Sequence, residues 1–337
     1  MSSVIFISEK NVRDAWLSAL VQVLVKGDNI KTEYDKPEDL PSKDASVLIE
    51  VQNPTSNPIM RKNKIINIKS KYGNDYNIYG CIADTYLIGS IQSGYIEEIV
   101  QGVNDHYIHE SGSSFPYSYH DRIFNYTPYS LEDAIHKSYS IGSVDRDFVK
   151  SHKKLQEAGL VYQDEKQKYI WKVNNGKSLN LEHALSEQIG CKEVPLEVLN
   201  LPHVNQIEYI IEKLKESPYS RRAQAITWRP LIDPYHFDPP CLQRIFMRVK
   251  DGKLLMQTTW RSRDLFRAWE ANVNGMIHIQ KMVANELGVK IGHYLDFSNS
   301  LHIYGVSIPE VKDMLIRMKN KDEKFPEKIK EFVEKIN

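Results

Sequence analysis

Two runs of alternating apolar and polar residues, Arg244–Val249 and Lys253–Trp260, are joined across Asp251-Gly252. Asp-Gly readily takes the positive φ angles that a two-residue turn demands, so these runs are predicted to form a tight antiparallel hairpin. The next stretch of chain must pack on that hairpin. Residues 269–288 place Val273, Met276, Ile277, Ile279, Met282 and Val283 at helical spacing, which predicts a long helix with a broad apolar stripe. A further strand is expected over Leu301–Val306, a short helix from Pro309, and a charged amphipathic helix at the tail. Ahead of the hairpin, Gln206–Glu216 reads as a helix and Ala223–Trp228 as a strand. Strands and helices thus interleave, and 337 residues with 41% apolar side chains suffice for a large α/β core.

The first half is less regular. Val4–Ser8 is a short apolar run, Asn11–Val25 is helical in period, and Ser46–Pro54 reads as a strand stopped by Asn-Pro. Lys64–Ile68 is a second candidate strand, and Gly94–Tyr107 an amphipathic helix. Residues 128–200 are polar and Lys-rich, and read as an insertion into one domain spanning 1–337. Within it, Asp145–Gly159 looks helical and Gly159–Val173 looks like a hairpin.

Lys plus Arg and Asp plus Glu both number 44, so no overall basic field draws the chain to nucleic acid. Cys81, Cys191 and Cys241 are odd in number and far apart, with no zinc spacing, which suggests neither a disulfide framework nor a metal. The N-terminal stretch meets acidic residues too early for a signal peptide, and no apolar run would span a bilayer. The expectation is a cytoplasmic α/β protein.

Four blocks carry chemistry. They are Ser220-Arg221-Arg222 running on to Trp228, Asp238-Pro-Pro-Cys241, Arg261-Ser262-Arg263-Asp264 with Asn272 eight residues on, and Ser300-Leu-His302-Ile-Tyr304. In this order and at these separations they resemble the thymidylate synthase family. One block alone would be weak; four in register over about a hundred residues are specific. The likeness is good from roughly 205 to 315, faint around 115–124 and poor elsewhere.

The resemblance implies a mainly antiparallel twisted sheet packed with helices, one sheet face forming a homodimer interface. It implies transfer of a one-carbon unit from 5,10-methylenetetrahydrofolate to C5 of a pyrimidine nucleoside monophosphate. Cys241 matches the nucleophile that adds to C6. Most cysteines are simply buried, but a thiol beside a positive charge is ionised enough to attack, and Arg261 would supply that charge. Arg221, Arg222, Arg261 and Ser262 match a phosphate clamp, suited to arginine's planar fork, with Arg221 and Arg222 reaching into the neighbouring subunit's site. Asp264 matches a residue that orders the site, and Asn272 one that reads the base edge. His302 and Tyr304 match residues that hold the ribose 3′-hydroxyl; two apart on a strand, they share a face. Tyr119 sits where the family has a tyrosine-led segment beside the base. The family's catalytic glutamate has no secure counterpart; Glu50 and Glu98 are the candidates. Cys81 and Cys191 are read as structural.

The family has two outcomes, a methyl group made with hydride from the folate or a hydroxymethyl group made by adding water. No tryptophan falls between Trp16 and Trp171, and the chain ends EFVEKIN without an apolar tail. Both departures favour water entry, which makes hydroxymethylation of CMP or dCMP the leading expectation. Asn272 pulls toward uracil, because the best-known deoxycytidylate hydroxymethylases have a carboxylate there. Conversion of dUMP to dTMP is therefore the alternative, and a catalytically inactive nucleotide- or RNA-binding relative the second.

Overall fold

A computed structural model describes residues 4–32, 35–56, 62–69, 75–81, 95–103, 105, 117–126, 161–163, 169–171, 204–230, 233–235, 238–321 and 325–335. Contacts group the chain into two compact units. The first comprises residues 1–101, 207–226 and 241–337, and the second 102–206 and 227–240.

In the first unit, β1 (Ile5–Glu9) leads into helix α1 (Val12–Lys26), whose start is capped by the Asn11 side chain accepting from the Asp14 N–H. Then come β2 (Asp28–Ile30), β3 (Ser42–Val51), a separate hairpin of β4 (Lys62–Lys69) and β5 (Asp75–Cys81), and α2 (Tyr95–Gln101). The second unit contains α3 (Tyr119–Phe124) and a small hairpin of β6 (Val161–Gln163) and β7 (Tyr169–Trp171). That hairpin is the one read from residues 159–173; the expected helix over 145–159 and the rest of the insertion lie outside the described residues. Helix α4 (Gln206–Glu216) returns the chain to the first unit. It continues through β8 (Gln224–Ile226), β9 (Leu242–Lys250), β10 (Lys253–Trp260), β11 (Arg263–Asp264), α5 (Trp269–Glu286) and β12 (Lys290–Ile303). Helices α6 (Ile308–Lys321) and α7 (Glu327–Lys335) close it.

The main sheet runs β1-β3-β12-β10-β9-β8, with β2 beside β3 and β11 beside β12. Four of these pairings are antiparallel and three parallel, so the sheet is mixed. The β9–β10 turn is the predicted one: Asp251 and Gly252 take φ of 51° and 69°. Inward residues alternate along β1, β3, β9 and β10, as Ala45, Val47, Ile49 and Val51 do on β3, and α1 and α5 pack against the sheet. Helix α5 is buried nearly all round, from Trp269 to Gln280.

That burial carries a polar stripe with it. Glu270, Asn274 and His278 follow at intervals of four on α5, all buried, with Asn274 Nδ2 donating to Glu270 Oε1 at 2.8 Å. His278 Nδ1 lies 2.9 Å from the Asn274 carbonyl and its Nε2 is buried without a partner among the described residues, so burial pushes its pKa down to about 3. The depressed folded value against about 6.5 unfolded means this contribution is complete above pH 6.5 and is lost as pH falls toward 3. By pH 5 the loss should be about 2 kcal/mol. Urea midpoints at pH 7 and pH 5 check this: the acid shift of wild type should exceed that of His278→Gln by this amount.

Candidate active site

Strand directions bring most of the quoted blocks to one end of the main sheet. Cys241 immediately precedes β9, while Arg261 and Ser262 follow β10, which runs antiparallel to it. The backbone locks the two together: the Arg261 N–H donates to the Cys241 carbonyl at 2.8 Å. Strand β12 runs parallel to β10, so His302 and Tyr304 arrive at the same end. Next to them β11 pairs Asp264 with His302. The Cys241 side chain is partly exposed and in no disulfide, as a nucleophile must be.

Asp264 holds a turn together. Its Oδ1 accepts from the N–H groups of Phe266 and Arg267, each at 2.9 Å, just ahead of α5. The Leu265 N–H reaches the His302 carbonyl at 2.8 Å, and Trp16 Nε1 on α1 donates to the Leu265 carbonyl at 2.8 Å. This turn therefore fixes the start of α5, and with it Asn272, relative to β12. Burial raises the Asp264 pKa, offset in part by the backbone N–H of Arg267 and by His302. Burial also lowers that of His302, against the pull of Asp264 and Asp44. Both groups are biased toward their neutral forms. His302 packs edge-on against Tyr304 with ring centroids 4.6 Å apart, and Ser300, also in the fourth block, donates to Asp44.

Two residues beyond Arg261 stands an arginine to which the sequence alone assigns no role. Arg263 donates to Asp296 and, at 3.0 Å, to Ser298, and its guanidinium stands 4.1 Å from the Trp260 ring centroid. Asp296 also accepts from Tyr294 at 2.8 Å and Thr258 at 3.1 Å. The network is wholly buried and forms the floor on which Arg261, Ser262 and Asp264 are set.

A second unforeseen residue is Tyr95. Asn272, in the first turn of α5, donates through Nδ2 to the Tyr95 hydroxyl on α2. Glu98 lies one turn further along α2, half-buried on the same side as Tyr95. Glu98 is thus carried by the helix that packs on Asn272's own.

Glu50 is placed otherwise. It faces away from α1 and α5, accepting from Ser8 at 2.6 Å and meeting His293 at 2.7 Å on the opposite sheet face. Three strand spacings, roughly 14 Å, separate its strand from that of Cys241. Ser8 first, then His293, hold its carboxyl below the usual glutamate range against burial. Arg221 and Arg222 are also remote from Cys241 of their own chain. They are exposed ahead of β8 at the sheet edge, beside Met247–Val249, roughly 20 Å along β9 from Cys241.

Tyr119 opens α3 in the second unit, its ring 5.6 Å from that of Tyr117. Around it Arg122 forms a buried two-pronged pair with Asp233, at 2.8 and 3.0 Å. Burial lowers the pKa of neighbouring Arg229 to about 10. Of the other two cysteines, Cys81 ends β5 and Cys191 lies outside the described residues.

Residues 148–335, just over half of the chain, match the family model described as thymidylate synthase. The chain belongs to the thymidylate synthase family. Members of this family use methylenetetrahydrofolate. Among similar proteins, one from Methanothermobacter marburgensis is 38% identical over 112 residues, covering 33% of this chain and 50% of its own. One from Methanosarcina acetivorans is 43% identical over 101 residues, 30% and 46% respectively. A third, from Methanocaldococcus jannaschii, is 41% identical over 106 residues, 30% and 48%. All three bear the name "Putative thymidylate synthase". The chain spans about half the length of these relatives. Among the described residues no helix is long and apolar enough to cross a membrane.

Proposed function

We propose that this member of the thymidylate synthase family transfers a one-carbon unit to C5 of a pyrimidine nucleoside monophosphate, with CMP or dCMP as substrate and a 5-hydroxymethyl nucleotide as product. The observation that carries the transfer is the convergence of Cys241, Arg261, Ser262, Asp264, His302 and Tyr304 at one sheet end, with Asn272 fixed by the Asp264 turn. A partly exposed thiol is what a pyrimidine needs before C5 can take a carbon. In this reading the Cys241 sulfur bonds to C6, C5 gains the carbon and gives up its proton, water adds to that carbon, and the C6–S bond breaks. The balance is one nucleotide, one methylenetetrahydrofolate and one water giving hydroxymethyl nucleotide and tetrahydrofolate. The folate supplies the carbon; the thiol's placement is the feature of this chain that fits it.

Arg261 and Ser262 would hold the phosphate, and His302 and Tyr304 the ribose. Arg221 and Arg222 lie too far along the sheet to serve their own chain's Cys241. Their exposed place at the sheet edge suits donation to a second copy. The outward sheet face, with Phe6 beside Leu48 beside Phe297, suits the surface on which that copy would sit. The absence of tryptophan from 17 to 170 favours water over hydride as the final reactant.

Conversion of dUMP to dTMP is the second reading, favoured by the amide at Asn272, which can pair with uracil. One assay separates them: purified protein with methylenetetrahydrofolate and CMP, dCMP or dUMP, followed by product mass and dihydrofolate absorbance. A cytidine nucleotide heavier by CH2O, without dihydrofolate, is expected. A dUMP product heavier by CH2, with dihydrofolate rising in step, would overturn the hydroxymethylase reading.

A further inference from the structure

Helix α2 approaches α5 closely because residue 275 is glycine: a Cβ there would lie 2.6 Å from Ile99 Cδ1. One seam therefore holds Asn272 and Gly275 from α5 against Tyr95 and Ile99 from α2, at spacings of three and four that share a helix face. At its end Asn272 Nδ2 donates to the Tyr95 hydroxyl. Asn272 is 8% exposed, and its Oδ1 takes no partner among the described residues.

A primary amide presents a donor on one side and an acceptor on the other, and a half-turn about its last bond exchanges them. The two pyrimidine edges are related by the same exchange. Cytosine offers an acceptor at N3 and a donor at N4; uracil offers a donor at N3 and an acceptor at O4. An asparagine free to turn reads both. An asparagine whose nitrogen is tied on one side reads one.

We propose that Tyr95 is the positioning residue that sets base selectivity, by tying the Asn272 nitrogen and leaving Oδ1 to the nucleotide. This rests on the reading of Asn272 as the group that meets the base. Tyr95 need not touch the nucleotide; it acts through the amide. Removing its hydroxyl while keeping the ring should preserve the α2–α5 seam and release the turn.

The test is nucleotide binding, which does not depend on turnover. Affinities for CMP and UMP are measured by calorimetry on wild type, Tyr95→Phe, Asn272→Asp and the double variant. In Tyr95→Phe the ratio of the two affinities should fall toward unity by roughly fivefold, the size of one neutral hydrogen bond. The preferred nucleotide should weaken while the other holds or improves. A carboxylate has no donor side to exchange, so within the Asn272→Asp background the added Phe should leave the ratio within about twofold. Equal weakening of both nucleotides by Tyr95→Phe would show a merely structural contact and overturn the proposal, as would a wild-type ratio already at unity. A shifted ratio in the Asn272→Asp background would overturn it too, by showing that Tyr95 does not act through the amide. Where wild type prefers deoxyribonucleotides, dCMP and dUMP take the place of CMP and UMP throughout; wild type binding none of the four would remove the pyrimidine-nucleotide reading itself, and Tyr95's role with it.

Discussion

Cys241→Ala should lower turnover by at least about three orders of magnitude, because Cys241 carries the thiol of the convergent set and no other member of that set has one to bond to C6. Nucleotide binding should stay within about threefold of wild type, since in the proposed mode phosphate, ribose and base are held by other residues. The split matters more than the loss. Cys241 contributes its carbonyl to the bond from Arg261, and that backbone contact survives the substitution. A collapse of binding together with turnover would mean that the thiol side chain supports the loop, not the chemistry. Unchanged turnover would remove the covalent mechanism altogether. Rates measured under single turnover, beside calorimetric affinity for CMP, decide between these outcomes.

Most of the candidate site's convergence was legible because its residues are short-range in sequence. Arg261, Ser262 and Asp264 fall within four positions, and His302 and Tyr304 within three, so period and motif sufficed. What escaped was set by pairing across the fold. Strand β12 was expected only from Leu301, yet it begins at Lys290. Its earlier half hides because Asp296 and Ser298 point into the core, where apolar residues were sought, and they do so because Arg263 is there to meet them. Tyr95 was invisible for the same reason. Nothing in Tyr95–Gln101 alone says that α5 crosses it at a glycine. Glu50 could have been placed: Val47, Ile49 and Val51 are apolar and Glu50 alternates with them, which puts it on the other sheet face. The paired arginines show the opposite case: the motif is plain in the sequence, yet they sit at the edge of the sheet away from their own cysteine, where the proposed second copy would give them a site.

Arg263→Met should destabilise the protein by about 3–5 kcal/mol, the usual cost of removing one partner from a buried ion pair. The side chain itself would fit, since methionine adapts to irregular space. What cannot be tolerated is Asp296 left charged with almost no access to solvent. Its remaining donors, Tyr294, Thr258, Trp269 Nε1 at 3.4 Å and Ser298 Oγ at 3.5 Å, are neutral and do not replace a guanidinium. Arg263 in turn loses little by leaving some of its own nitrogens unbonded, because its plane lies over Trp260. The stranded charge can also be removed from the other side. Asp296→Asn keeps an acceptor for Tyr294 and Thr258 but carries no charge, so Arg263→Met combined with Asp296→Asn should recover about 2 kcal/mol of the loss. Urea midpoints for the two single variants and the pair test this directly. Equal stability of Arg263→Met with and without Asp296→Asn would mean that packing around Trp260 and Trp269, and not the stranded charge, sets the cost.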